Sequence, residues 1–299
     1  MDLWQLNIFC KVIELKSFSK AAQAIHLSQP TVSSHIKELE DHFGCRLIDR
    51  LAKQAQPTKA GEILYTYARK LIALRDETES AISEFQGRIK GRLVIGGSTI
   101  PGNYILPRIM GAFVAIYPEV TLSLVLGDSG KIIADIASGD LELGLVGSRT
   151  AEKKILQEKL LEDQLCLILP QNHRWSSKAK LKIKHLLKEP FIIRKRGSGT
   201  LTSIQAALAK QGFRLEDLNI VAEMGSTEAV CQGIKSNLGV SILSPRAVAE
   251  ELRTGKLRSV FIQDLALYQS FYLTTHKFRS LSPLGKKLID FIRKKIPKL

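Results

Sequence analysis

At 299 residues the chain is too long for one ordinary core and too short for three, so two or three folding units are expected. Its 44% hydrophobic and 24% charged residues describe a soluble globular chain, which excludes a disordered or fibrous one. No apolar run approaches the ~18 residues of a membrane-spanning helix, and Met1–Trp4 opens without the basic and apolar pattern of a secretory signal.

Cys10, Cys45, Cys166 and Cys231 lie far apart with no C-x-x-C spacing, which argues against a zinc ribbon or a disulfide framework. A reducing compartment, the cytoplasm, is the expectation. The formal net charge is +15, unevenly placed. Residues 1–90 hold 13 Lys/Arg against 11 Asp/Glu, whereas residues 91–299 hold 31 against 18. The excess gathers at Lys178–Lys188, at Arg194-Lys195-Arg196 and in the tail Lys286-Lys287 to Arg293-Lys294-Lys295. Bulk charge therefore does not mark a nucleic-acid surface. It reads either as a solvated face or as attraction for an anionic ligand or flanking DNA.

In chain order, Leu3–Leu15 carries Leu6, Phe9, Cys10 and Ile13 on one helical stripe. A short helix follows, opened by Ser17 and rich in small residues. Ser28 caps a third helix, with Pro30 in its first turn and Gly44 at its end. Val32, Ile36, Leu39 and Phe43 form its narrow buried stripe, and its other face holds Gln29, Thr31, Ser33, Ser34, His35 and Lys37. Two short helices with a tight turn and a polar second helix predict a helix-turn-helix, whose second helix fits the major groove. Any small helical bundle with one polar face is the alternative. Residues 45–58, with Arg46, Arg50 and Lys53 around Leu47-Ile48, read as a hairpin or wing.

A long helix from Lys59 to about Gln86 places Leu64, Tyr67, Leu71, Leu74, Thr78, Ala81 and Phe85 at alternating spacings of three and four. That heptad seam predicts a second copy of the same helix as partner, with packing on the chain's own C-terminal part as the alternative. Gly87–Gly91 then forms a short hinge.

From Arg92 short β-branched runs alternate with helical stretches. The strands are Leu93–Ile95, Val120–Leu126, Leu141–Val146, Leu165–Leu169, Phe191–Ile193, Ile220–Ala222 and Val240–Leu243. The helices are Leu106–Ile116, Lys131–Ala137, Leu201–Lys210 and Thr227–Lys235. This predicts a mostly parallel α/β architecture in two lobes. Gly127-Asp128-Ser129-Gly130 imitates a serine-protease nucleophile without the His/Asp framework. Gly130-Lys131 lacks the earlier glycine of a phosphate loop, and Gly197-Ser198-Gly199-Thr200 lacks the third glycine of a dinucleotide fingerprint. The six histidines form no metal-binding spacing, so neither catalyst nor cofactor nor metal site is expected. Four loops, Gly96-Gly97-Ser98-Thr99, Gly127-Asp128-Ser129, Gly197-Ser198-Gly199-Thr200 and Gly225-Ser226-Thr227, each follow a strand and precede a helix. Together they predict a polar ligand cleft, and the neighbouring Arg194, Lys195 and Arg196 favour an anion.

The run Ser17-Phe18-Ser19-Lys20-Ala21-Ala22, then Leu27-Ser28-Gln29-Pro30-Thr31-Val32-Ser33-Ser34-His35-Ile36-Lys37-Glu38-Leu39-Glu40, then Leu47-Ile48-Asp49-Arg50 and Thr58-Lys59-Ala60-Gly61, resembles the LysR-type transcriptional regulators along essentially the whole chain. The resemblance implies a winged helix-turn-helix in residues 1–58, a dimerising linker helix in 59–87, and an effector-binding domain in 88–299. That domain would resemble type II periplasmic binding proteins, with lobe I near 91–163 and 268–299 and lobe II near 164–267. It implies DNA contacts from Ser17, Ser19, Gln29, Pro30, Thr31, Ser33, Ser34, His35, Lys37, Arg50 and Lys53. It implies effector contacts from Ser98, Thr99, Gly127, Asp128, Ser129, Ser198, Gly199, Thr200 and Thr227. The implied partners are double-stranded promoter DNA, a small co-inducer, further copies of the chain as dimer or tetramer, and RNA polymerase. Ser34-His35 stands where Arg-Gln is common in the family, Ile48 replaces its usual Phe, and Leu201 stands where an Arg is frequent. The effector domain looks most like the sulfur-assimilation and carbon-fixation branch, so an oxyanion or small organic acid is the expected ligand. The rivals are a non-specific architectural DNA binder and an α/β cleft enzyme.

Overall fold

The computed structural model describes residues 1–49, 54–85 and 89–296 and divides into two compact units, Met1–Arg88 and Ile89–Leu299. Arg50, Lys53 and the hinge residues Gly87 and Arg88 lie outside the described residues.

The first unit opens with α1 (Leu3–Leu15), where the Asp2 carboxylate accepts from the Gln5 N–H at 2.7 Å and the Gln5 side chain returns the bond. Helix α2 (Phe18–Ala24) starts at Ser17, and α3 (Gln29–Phe43) at Ser28, whose hydroxyl accepts from the Thr31 N–H at 3.2 Å. Gly44 ends α3 with φ +65°, a conformation that suits a residue without Cβ. Strands β1 (Ile48–Asp49) and β2 (Gln56–Pro57) make the short antiparallel hairpin expected for a wing. The Glu40 carboxylate accepts from the N–H groups of Leu47 and Ile48, tying that hairpin to α3. Leu6, Phe9, Val12, Ala21, Val32, Ile36, Leu39 and Ile48 form one core.

Helix α4 (Lys59–Phe85) begins against this core. A Cβ on Gly61 would fall 2.0 Å from the Leu47 carbonyl oxygen, so glycine permits the close approach. Ala60, Leu64, Tyr65, Ala68 and Ile72 pack inward. Leu64 therefore belongs to its own domain's core. The outward stripe is Ile63 (57% exposed), Tyr67, Leu71, Leu74, Thr78 and Ile82 (55% exposed). The seam expected from the sequence shares its middle with this stripe but starts one residue off, because a 3.6-residue helix drifts across two adjacent apolar faces. The side chains of Ala81 and Phe85 are not among those described.

In the second unit, β3 (Gly91–Ser98), α5 (Leu106–Ile116), β4 (Val120–Gly127), α6 (Ser129–Ser138), β5 (Leu143–Val146) and β6 (Ile155–Gln164) build a first lobe. The chain crosses into a second lobe with β7 (Cys166–Pro170), β8 (Lys180–Leu181), α7 (Ile183–Leu186), β9 (Phe191–Arg194), α8 (Gly199–Lys210) and β10 (Ile220–Met224). That lobe continues through α9 (Thr227–Lys235), β11 (Ser241–Leu243), α10 (Ala249–Arg253) and β12 (Leu257–Ile262). Strand β13 (Tyr268–His276) returns to the first lobe, and α11 (Pro283–Lys295) closes it.

The first sheet has the order β4-β3-β5-β13-β6, with β3 parallel to β4 and β5 but β13 antiparallel to β5 and β6. In the second lobe β7 runs antiparallel to both β11 and β12. The expected mostly parallel arrangement is thus a mixed one. The reason is topological: β6 leaves the first lobe and β13 re-enters beside it, so the two legs must run in opposite directions. The basic tail is amphipathic, with Leu284, Leu288, Ile289 and Ile292 buried beneath its exposed lysines.

Candidate nucleic-acid interface and interlobe cleft

On α3 the buried stripe faces α1 and α2, which leaves Gln29, Pro30, Thr31, Ser34 and Lys37 exposed and Ser33 half-buried. Gln29 donates to the Ser33 hydroxyl one turn on at 3.0 Å. Both residues line an open crevice of about 700 Å³ together with Lys16, Ser17, Lys20, Asp49 and Gln54. The N-terminus of α2, the first turn of α3 and the hairpin converge there. Ser19 is exposed on α2 outside that lining.

Thr31 and His35 lie on the other flank. The hydroxyls of Thr31 and Ser28 lie 2.7 Å apart, within hydrogen-bond distance. The Nδ1 of His35 is buried without a hydrogen bond, 3.7 Å from the Glu38 carboxylate. Glu38, which has no role among the residues expected from the sequence, accepts from Gln5 at 2.8 Å and from Ser34 at 3.4 Å, so it links the ridge to α1.

In the second unit the predicted loop residues meet between the lobes. Gly96 and Gly97 lie within β3 rather than in a loop. A Cβ on Gly96 would meet Ile132 at 2.7 Å and one on Gly97 would meet the Gly102 backbone at 2.6 Å, so both serve packing. Ser98 and Ser129 are buried, and both hydroxyls accept from the Gly147 N–H, at 3.0 and 3.2 Å. Thr200 donates to the Gln269 side chain at 3.1 Å, and Gln269 in turn donates to the Gly147 carbonyl. A Cβ on Gly199 would sit 2.5 Å from that same carbonyl. Asp128 caps α6 through the Lys131 N–H and meets Lys195 from the second lobe at 3.3 Å. Ser198 stands at the start of α8 without a capping bond, and Gly127 ends β4.

Arg194, at the end of β9, is only 4% exposed. Its guanidinium donates to the Thr227 hydroxyl at 2.5 Å, the Gly225 carbonyl at 3.1 Å and the Thr99 hydroxyl at 3.5 Å. Its Nε is buried with no hydrogen-bond partner. Among the described residues no carboxylate comes within ion-pair distance of it. Burial pushes its pKa below the ordinary arginine value, and the more distant Glu228 and Asp128 oppose that shift. Beside it Glu228 accepts from Asn103 and from the Tyr104 hydroxyl, both at 3.2 Å, across the lobe boundary. Burial first, and then the Glu228 charge, raise the Tyr104 pKa.

Asn103, Tyr104, Glu228 and Gln269 are not among the residues expected from the sequence. Asn103 and Tyr104 lie on a π-turn, Pro101–Ile105, just past the loop that carries Ser98 and Thr99, and Gln269 lies on β13, a strand outside the predicted set.

The described helices include none long and apolar enough to cross a membrane. Residues 3–62 match the bacterial regulatory helix-turn-helix protein family, lysR type, and residues 86–297 match the LysR substrate binding domain. A probable RuBisCO transcriptional regulator of Cyanidium caldarium is 31% identical over 278 residues, covering 92% of this chain and 88% of that one. Two solved structures share the fold. The Synechocystis CcmR regulatory domain in complex with 2-PG has a TM-score of 0.64 and 24% identity, covering 70% of this chain and 98% of that one. Full-length CbnR with its target DNA has a TM-score of 0.73 and 18% identity, covering 98% and 99%. With both of its units matched, the chain belongs to the LysR family of transcriptional regulators: a DNA-binding helix-turn-helix joined to an effector-binding domain, and not an enzyme.

Proposed function

We propose that the second unit senses a small anion held on Arg194, and that the first unit reads promoter DNA with the polar ridge of α3. The observation that carries the ligand assignment is the buried guanidinium with an idle Nε and only neutral oxygens around it. A buried cation with no direct ion pair is costly, and an incoming oxyanion or small organic acid supplies one. Thr99, Thr227 and Ser98 add hydroxyls, and the start of α9 adds a favourable dipole end. Asp128, Ser129, Ser198, Gly199, Thr200 and Gly127 shape the walls. The 2-PG bound to the CcmR regulatory domain is a ligand of this chemical class.

On the DNA side Gln29, Ser33, Ser34 and Lys37 reach base edges or phosphates, with Pro30, Thr31 and His35 along the same helix and Ser17 and Ser19 at its flank. Arg50 and Lys53 are assigned to the backbone by position in the wing. The outward stripe Ile63, Tyr67, Leu71, Leu74 and Ile82 on α4 pairs two copies, and pairs of dimers form the tetramer. RNA polymerase is the partner of the promoter-bound form. Anion occupancy shifts the arrangement of protomers through its differential affinity for the two states.

Thermal-shift screening of the full chain against sulfate, thiosulfate, phosphate, bicarbonate, glycolate and 2-phosphoglycolate tests the ligand reading. At least one anion should raise the melting temperature in the parent and not in Arg194→Met. Equal shifts in both proteins, or none in the parent, would overturn it.

A further inference from the structure

The second lobe carries a basic edge that neither the DNA-reading ridge nor the effector cleft uses. Strand β8 lies at the end of the sheet order β11-β7-β12-β8, paired on one side only, with Lys180 opposite Phe261 and Leu181 opposite Ile262. From Lys180 to Lys184 exposed lysines alternate with buried apolar residues. Leu181, Ile183 and Leu186 are buried, while Lys178, Lys180, Lys182, Lys184 and Lys188 are exposed. At β8 the strand sends successive side chains to opposite faces and α7 continues from Ile183, so Leu181, Ile183 and Leu186 fill the core while the lysines stay outside it. From Gln164 to Lys188 the sequence contains no Asp or Glu.

The acids nearest in sequence are already engaged. Glu189 is buried, paired with Arg174 and, at 2.8 Å, with His173. Asp264 accepts the Ile183 N–H at 2.9 Å at the start of α7. None of the five lysines is held in an ion pair among the described residues. One lysine suffices to discourage edge-to-edge pairing of so short a strand, and five exceed that need.

We infer that this lysine edge of the effector domain is a second DNA contact, gripping phosphates outside the bases read by α3. Three features favour duplex DNA over an acidic protein. Lys180 and Lys182, two residues apart where the chain is extended, stand ~6.6 Å from one another, and Lys178, Lys184 and Lys188 flank them, a local cluster of cations suited to a polyanion. Residues 171–190 expose no large apolar side chain, whereas protein partners usually anchor on buried aromatic or aliphatic groups. The first unit, whose net charge through residue 90 is only +2, leaves most of the electrostatic attraction to be supplied elsewhere. The grip is independent of sequence: it strengthens binding and fixes the path of DNA beside the site, while α3 selects the bases.

The test uses the full-length chain and a 60-base-pair random-sequence duplex, with affinity measured by fluorescence anisotropy from 50 to 300 mM KCl. The variant K178Q/K180Q/K182Q/K184Q should flatten the plot of log affinity against log salt by about 3 to 4, since each phosphate no longer neutralised removes ~0.9 from the slope. An equal charge change in the exposed tail, K286Q/K287Q/K294Q/K295Q, should move that slope by less than about 1. An unchanged slope in the first variant overturns the inference, and so does an equal reduction in both, which would mean bulk charge alone. Lysine acetylation of the parent with and without the duplex is an independent readout. Residues 178–184 should be protected by DNA, and undiminished labelling there would overturn the inference.

Discussion

On α3, Gln29, Ser33, Ser34 and Lys37 stand at or near the surface and bond, where they bond at all, to residues one turn away. In the interlobe cleft Ser98, Ser129, Thr200 and Arg194 are buried, and their partners come from distant strands and helices. The two polar clusters therefore differ in what they cost the fold. Exposed groups exchange water for a ligand with little effect on stability, whereas buried groups are preorganised and hold the lobes together. Binding and stability should separate on α3 and remain coupled in much of the cleft, with Arg194 the exception.

The largest effect should come from the start of α8, where Gly199 meets the Gly147 backbone. Gly199→Val places two further carbons against the Gly147 carbonyl, already 2.5 Å from an added Cβ, so loss of more than ~3 kcal/mol in the second unit is expected in chemical denaturation. Next is Arg194→Met. Anion affinity should fall about a hundredfold, as expected for loss of charge-assisted hydrogen bonds, while ligand-free stability changes by no more than ~1 kcal/mol or improves. Isothermal titration paired with thermal melts reads both numbers. A strongly destabilised ligand-free variant would erase the distinction between Arg194 and its neighbours.

Ser33→Ala and Gln29→Ala probe the other region. Discrimination between promoter and random DNA should drop by about 1–3 kcal/mol with melting unchanged. Footprints identical to the parent would show that the ridge does not read bases. Leu71→Asp, on the outward stripe of α4, should shift the dimer towards monomer, and an unaltered mass in light scattering would refute that pairing.

The smallest expected effect is a pH dependence. Burial raises the Asp163 pKa above its ordinary 3.8, while Ser244 and Arg246 partly offset the shift. A raised carboxyl pKa favours the protonated folded state. Its contribution is full below the unfolded value and is lost as pH rises through the folded one. Asp163→Asn should remove that decline, so the difference in melting temperature between variant and parent should widen in the variant's favour as pH rises above about 4.

Local order was legible because it is written locally. Ser28, Pro30 and Gly44 bracket α3, and Val32, Ile36 and Leu39 mark its buried side, since caps and a 3.6-residue period act within a few residues of their cause, whereas Phe43, expected on the same stripe, is exposed in the last turn. Where two apolar faces adjoin, as at Leu64 and Ile63 on α4, the same period leaves the boundary open, and contact with α1 decides it. Strand β6 was unreadable because charges interrupt its alternation, and β13 runs against its neighbours because the chain has first crossed to another lobe and back.

The sequence by itself determined the helices of the first unit, the polar face of α3 and most of the loops that meet between the lobes. Tertiary structure alone decided that Ser98 and Ser129 share the Gly147 amide, that Glu228 bridges to Tyr104, and that Arg194 is buried with its Nε unpartnered. Those facts depend on residues up to 124 positions apart meeting in a dry interior, where burial sets the cost of a charge, and no local pattern encodes which distant group will or will not be there.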